Sequence, residues 1–140
     1  MTVRATLETG MRFAVATGSG HHLILDAAEH NGGQDAGPRP MELFLVGLAG
    51  CAGMDILAIL RKKRQPVTAY ELRVLGERAE EHPRIFVKIT VEHHLTGHGL
   101  QPEAVQRAIE LTEAKYCGAS AILGKSASIT HTYHLLEAAE

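Results

Sequence analysis

The chain has 140 residues, with 14 basic and 16 acidic side chains, nine histidines, two cysteines and no tryptophan. Its length is one domain's worth, so a single domain over residues 1–140 is expected. Charges of both signs are interspersed, with no basic stripe and no Trp, which excludes a phosphate-tracking or base-stacking surface and with it nucleic acid as a partner.

The first ten residues hold no apolar core of signal-peptide length, which predicts a cytosolic protein. Thiols there are kept reduced, so two cysteines point to a transient or catalytic disulfide, a metal site or plain packing rather than a permanent staple. Val3, Ala5 and Leu7 alternate with Arg4, Thr6 and Glu8, and Phe13 to Val15 and Leu23 to Leu25 flank a Gly18-Ser19-Gly20 turn. This is the pattern of an antiparallel meander. From Glu29 to Pro40 loop-forming residues stand at nearly every position, and Pro40 suits the first turn of a helix beginning near Met41.

That helix is apolar on almost every face from Leu43 to Leu60, broken only by Asp55, and ends in Arg61-Lys62-Lys63-Arg64 before Gln65-Pro66. The basic cluster complements the negative end of the helix dipole. The run is at the short limit for a membrane span and contains a carboxylate, so a buried central helix is expected instead. One small domain cannot surround such a helix, and Gly47, Gly50 and Gly53 permit close approach of another. Its remaining apolar surface is expected to meet a second copy of the chain.

Alternation returns beyond Pro66: Tyr70, Leu72 and Val74, then Ile85, Val87, Ile89 and Val91, read as two half-buried strands. A helix opening at Pro102-Glu103 places Val105, Ala108, Ile109, Thr112 and Tyr116 on one stripe and reaches Cys117, where Gly118 is expected to break it. Ala119 to Leu123 make a short helical turn stopped by Gly124, and Ile129 to Leu136 a last strand. Strands, long helix, two strands, helix and strand make an α+β fold.

Histidine is plentiful, yet His21-His22 and His93-His94 project to opposite faces of their strands, a poor chelating geometry, and are expected to be solvated surface residues. HExxH, CxxC and glycine-rich phosphate loops are all lacking. Thiol chemistry remains. A lone cysteine in an apolar segment is usually packing, so the case rests on Cys51 and Cys117 as a pair. A cysteine reacts as its thiolate, a minor species at neutral pH, and needs a nearby cation that also stabilises the departing anion. Arginine serves both purposes.

Pro38-Arg39-Pro40-Met41-Glu42-Leu43-Phe44-Leu45-Val46-Gly47-Leu48-Ala49-Gly50-Cys51, followed downstream by Glu113-Ala114-Lys115-Tyr116-Cys117, resembles the OsmC/Ohr family of cysteine-based hydroperoxide reductases. The order of elements is similar over essentially the whole chain. Pro40 to Leu43, Gly76 to Arg84 and Lys115 to Cys117 look most like the YhfA-type branch. The resemblance implies an intertwined homodimer, antiparallel sheets packed around two long central helices, with active sites at the subunit interface. It implies Cys51 as the peroxidatic and Cys117 as the resolving cysteine, in a cycle that passes through a Cys51 sulfenic acid and a disulfide reduced by an external dithiol. No metal or organic cofactor is implied. In the family's peroxidases a glutamate directly follows the motif proline and pairs with an arginine from the N-terminal strands. Met41 stands there in this chain, and Glu42 follows one residue later, rotated by about 100° on a helix. Thr9-Gly10-Met11-Arg12 resembles the family's glycine-arginine element and makes Arg12 the candidate arginine, with Arg39 the other nearby cation. The alternative is a dimeric binding or redox-sensing protein for a small apolar or thiol-reactive ligand.

Overall fold

The computed structural model describes residues 1–140, in two units, Met1–Phe44 and Leu45–Glu140. The fold is α+β with two three-stranded sheets.

In the first unit β1 (Val3–Thr9), β2 (Arg12–Thr17) and β3 (His22–Leu25) form the expected antiparallel meander, with Phe13 opposite Leu25 and Val15 opposite Leu23. Alternation in β1 is not matched by burial within the chain, since all seven of its residues are exposed. The loop after β3 contains one short turn of 3-10 helix, Glu29–Asn31. Its organiser is the buried carboxylate of Asp26, which accepts N–H bonds from Ala27 at 2.8 Å and from Gln34 and Ala36 at 3.1 Å. Gly33 is required here, because a Cβ on it would lie 2.0 Å from the Ala27 carbonyl oxygen. Burial raises the Asp26 pKa, but the three N–H donors and the charge of Arg12 outweigh it and hold the carboxyl below its ordinary value. The contribution of Asp26 is therefore present above the unfolded-state value and lost as pH falls through the folded one. Asp26→Ala is expected to speed protease cleavage between Ala27 and Arg39, as limited proteolysis followed by mass spectrometry would show.

Helix α1 (Pro40–Lys62) starts at the anticipated proline and closes on Arg61 and Lys62. Its first five residues belong to the first unit and the rest to the second. Leu48, Ala52, Gly53, Ile56 and Leu60 recur at helical spacing and are buried in the second unit. A Cβ on Gly53 would meet Leu72 Cδ1 at 3.0 Å, so glycine lets the helix settle close on its sheet. Gly47 and Gly50 have nothing against them within the chain. By length and composition α1 would suffice to cross a membrane, and only 22% of its most apolar stretch is buried inside the chain.

The sheet of the second unit has the order β4 (Val67–Arg78), β5 (Phe86–Gly97), β6 (Ser128–Glu137). β4 and β5 are antiparallel, whereas β6 joins β5 in parallel, so this sheet is mixed. A parallel neighbour needs a long crossover, and α2 (Pro102–Leu111) and α3 (Gly118–Leu123) lie within it.

Three details depart from the expected pattern. Ile85 and Val87 are exposed, while Phe86, Ile89 and Val91 are buried. β5 carries one extra residue, Val87, opposite the step from Glu77 to Arg78, and this bulge reverses which face the alternation presents. Tyr116 lies off the buried stripe at 52% exposure, because after Leu111 the helix widens into a single π-type turn, Thr112–Tyr116, that rotates the residues beyond it. The chain leaves helical geometry at Cys117, with φ −80° and ψ 104°, and Gly118 opens α3 rather than ending α2.

A fourth departure concerns the histidines expected at the surface. His93, on the central strand, is fully buried: its Nδ1 lies 2.7 Å from the Tyr70 hydroxyl and its Nε2 lies 2.9 Å from His131 Nδ1. The inner face of a strand flanked on both sides tolerates an imidazole when both nitrogens find partners.

Candidate active site

Cys51 lies midway along α1 and is half-buried, next to the buried pair Ala52 and Gly53. A residue four positions further on a helix shares its face, and Asp55 occupies that place. Cys117 comes from a different element. The π-type turn ends where the Cys117 N–H donates to the Thr112 carbonyl at 2.8 Å, and the Ser120 N–H donates to Cys117 Sγ at 3.3 Å. This places the Cys117 side chain inward, with 3% of the residue exposed.

These elements bring the two sulfurs and a carboxylate oxygen of Asp55 all within 4.8 Å of one another, and both cysteines are free thiols. Burial pushes the Cys117 thiol pKa up, the Ser120 contacts draw it down in part, and the neighbouring Cys51 sulfur raises it further. Cys117 is thus held as a neutral thiol. Asp55 also lines a cleft of about 260 Å³ with Ala58, Ile59, Lys62, Leu111 and Tyr116. The cleft is mainly apolar and shares Asp55 with the thiol cluster.

The other candidate residues lie in the first unit. Arg12 is paired with Glu8 at 3.1 Å. Arg39 is paired with Asp35 at 2.7 Å and donates to the Gly37 carbonyl at 2.8 Å. Glu42 is exposed in the first turn of α1, its backbone N–H donating to the Arg39 carbonyl at 3.0 Å. Asp55 is the residue of the cluster that reading the sequence did not single out. There it stood out only as a charge within an apolar run, and its signal was the four-residue spacing from Cys51.

A sequence profile of OsmC-like proteins matches residues 32–132. The chain belongs to the OsmC-like family. It is 38% identical to the protein YhfA of Escherichia coli, a match covering 99% of this chain and 100% of that protein. Among solved structures, a hypothetical protein from Aquifex aeolicus superposes with a TM-score of 0.86 at 28% identity, over 99% of this chain and 97% of that one. An organic hydroperoxide resistance protein from Legionella pneumophila superposes with a TM-score of 0.67 at 19% identity, over 95% and 96% of the two chains, and shares the fold.

Proposed function

We propose that this OsmC-like protein is a cytosolic, dithiol-dependent reductase of organic hydroperoxides, serving in defence against oxidative stress. The observation that carries the reading is the clustering of two reduced thiols and one carboxylate within 4.8 Å. In the proposed cycle Cys51 thiolate attacks the distal oxygen of the hydroperoxide, the O–O bond breaks, and the alkoxide leaves and takes up a proton as alcohol. Cys51 becomes a sulfenic acid. The Cys117 thiol then attacks Cys51 sulfur, the two join as a disulfide, and the sulfenic hydroxyl leaves as water with the Cys117 proton. Asp55 is the carboxylate positioned to pass that proton from one sulfur to the departing oxygen. An external dithiol reduces the disulfide and resets the pair. Disulfide formation brings the sulfurs from within 4.8 Å to a bond of about 2.05 Å.

In this reading the whole chain acts as one OsmC-like domain and works as a homodimer. Support for the dimer comes from α1, where Phe44, Val46 and Met54 are 51%, 60% and 75% exposed and Gly47 and Gly50 face nothing in the chain. A second copy would cover this apolar face and supply the surroundings of Cys51. Sedimentation equilibrium is expected to give twice the chain mass, and Met54→Lys to move the protein toward monomer. In the dimer, Arg12 and Glu42 are the proposed activating pair, and Arg39 is the competing cation.

The test is a titration of thiols. One equivalent of an organic hydroperoxide is expected to remove both titratable thiols and leave an intramolecular Cys51–Cys117 disulfide, seen by mass spectrometry. Two thiols untouched by excess hydroperoxide would sink the proposal. The cleft beside Asp55 supports a second reading, a binding protein for a small apolar ligand. Affinity for such a ligand that survives in a Cys51→Ser, Cys117→Ser double variant, without peroxide turnover in the parent, would favour it.

A further inference from the structure

The donor atoms that bring the thiols together have a second chemical meaning. We propose that Cys51, Asp55 and Cys117 form a three-ligand site for zinc in the reduced protein. The donor set comprises two sulfurs and a carboxylate oxygen, a combination that suits a borderline-soft ion and disfavours magnesium or calcium. Zinc bonds of about 2.3 Å to sulfur and about 2.0 Å to oxygen, at tetrahedral angles, separate two sulfurs by about 3.8 Å and sulfur from oxygen by about 3.5 Å. The three atoms lie within 4.8 Å of one another, so a closure of at most about 1.0 Å between the sulfurs and about 1.3 Å between sulfur and oxygen creates that triangle.

The backbone is arranged to hold it. Cys51 and Asp55 are one helical turn apart on the same face of α1, and Cys117 approaches from a separate element with its sulfur anchored by the Ser120 N–H. Three protein ligands leave the fourth position to water, and Asp55 also borders a cleft. Zinc takes sulfur as thiolate, so binding expels the thiol protons to solvent and affinity rises with pH.

The inference stands on donor geometry and not on peroxide turnover, but it has a consequence for the proposed cycle. Zinc engages the same sulfur lone pairs that attack a hydroperoxide, so metal and oxidant compete. Oxidation of the loaded site converts two thiolates, one hydroperoxide and two protons into a disulfide, an alcohol and water, and releases the zinc ion. A site of this kind ties metal release to oxidation.

The experiment uses the full-length protein, reduced and stripped of metal, titrated with zinc against a chromophoric chelator and separately with cobalt(II). One zinc per chain is expected, together with a thiolate-to-cobalt charge-transfer band. Cys51→Ser and Cys117→Ser should each weaken binding by about a hundredfold and abolish or halve the band, and Asp55→Asn should weaken it by about tenfold. Circular dichroism of each variant establishes that it is folded. In the parent protein, with no substitution, zinc should slow alkylation of both thiols, and EDTA should restore the rate. The proposal is overturned if binding is no tighter than in the Cys51→Ser, Cys117→Ser double variant, which would mark a histidine site elsewhere, or if zinc leaves alkylation unchanged. Peroxide reduction assayed in EDTA tests the enzymatic reading without the metal, so either proposal can fail alone.

Discussion

Cys51→Ser is expected to lower hydroperoxide reduction by about a hundredfold or more, while Cys117→Ser is expected to leave the first oxidation intact and stall the second. The asymmetry follows from the surroundings of the two sulfurs. Cys117 is buried, and its thiol is pushed toward the neutral form. A group so placed is a poor first nucleophile for a peroxide. It is adequate for attack on a sulfenic sulfur held within 4.8 Å, where proximity replaces ionisation. Cys51 is the less buried of the two and lies on the face of α1 that also carries Asp55. In the Cys117→Ser variant a stable sulfenic acid should accumulate after one equivalent of hydroperoxide, trapped by a carbon nucleophile such as dimedone and located at Cys51 by peptide mass spectrometry. Turnover with a dithiol reductant should fall with it. Capture of the adduct at Cys117 in a Cys51→Ser variant, at an undiminished rate, would reverse the assignment of the two roles.

Between pH 7 and pH 4 the protein is expected to lose up to about 3 kcal/mol of stability through His93 alone. Burial lowers the His93 pKa from 6.5 to about 4, with the neighbouring His131 and His94 adding to the effect. Below pH 6.5 the unfolded chain takes up a proton at this residue that the folded chain refuses, so stability falls with pH until the folded form also titrates near 4. His131 is shifted in the same direction by burial, opposed by the Glu113 carboxylate 3.6 Å from its Nε2, and steepens the loss. The hydrogen bonds explain why a neutral ring is retained. If the Tyr70 hydroxyl donates to His93 Nδ1, then His93 Nε2–H donates to His131 Nδ1, and His131 Nε2–H faces Glu113. Both His93 nitrogens then have a partner, and an extra proton on His93 would bring an uncompensated charge into a dry sheet. Tyr70 is shifted as well, its pKa raised by burial, so it stays a neutral donor throughout. Urea denaturation at a series of pH values measures the slope. His93→Gln should flatten it while lowering stability at pH 7, and an unchanged slope in that variant would show that other groups govern the acid response.

Several of these features were legible in the order of residues. Apolar alternation with glycine turns located β1 to β3, the proline at position 40 and the basic run from Arg61 located the ends of α1, and the motif around Cys51 carried the family. These are short-range signals, written within a few residues of where they act. The phase of β5 was not among them. Whether Val87 faces in or out depends on a bulge opposite Glu77 and Arg78, a decision made by the partner strand. The burial of His93 likewise depends on β5 becoming the central strand, with β6 joining it in parallel after a crossover of some thirty residues.

The candidate site divides in the same way. That Cys51 and Cys117 deserve attention as a pair follows from composition and motif, because two cysteines amid small residues on an apolar helix and at a helix break are properties of the linear chain. That they meet does not follow, since 65 residues separate them, and their contact requires the helix to settle on the sheet through Gly53 and the π-type turn to aim Cys117 inward. Asp55 shows the difference most clearly. Along the sequence it is a charge interrupting a hydrophobic run, and in the folded chain it is the third polar atom of a cluster with two thiols. Local propensity places residues on an element and a face, but only the packing of elements distant in sequence brings their reactive atoms within chemical reach.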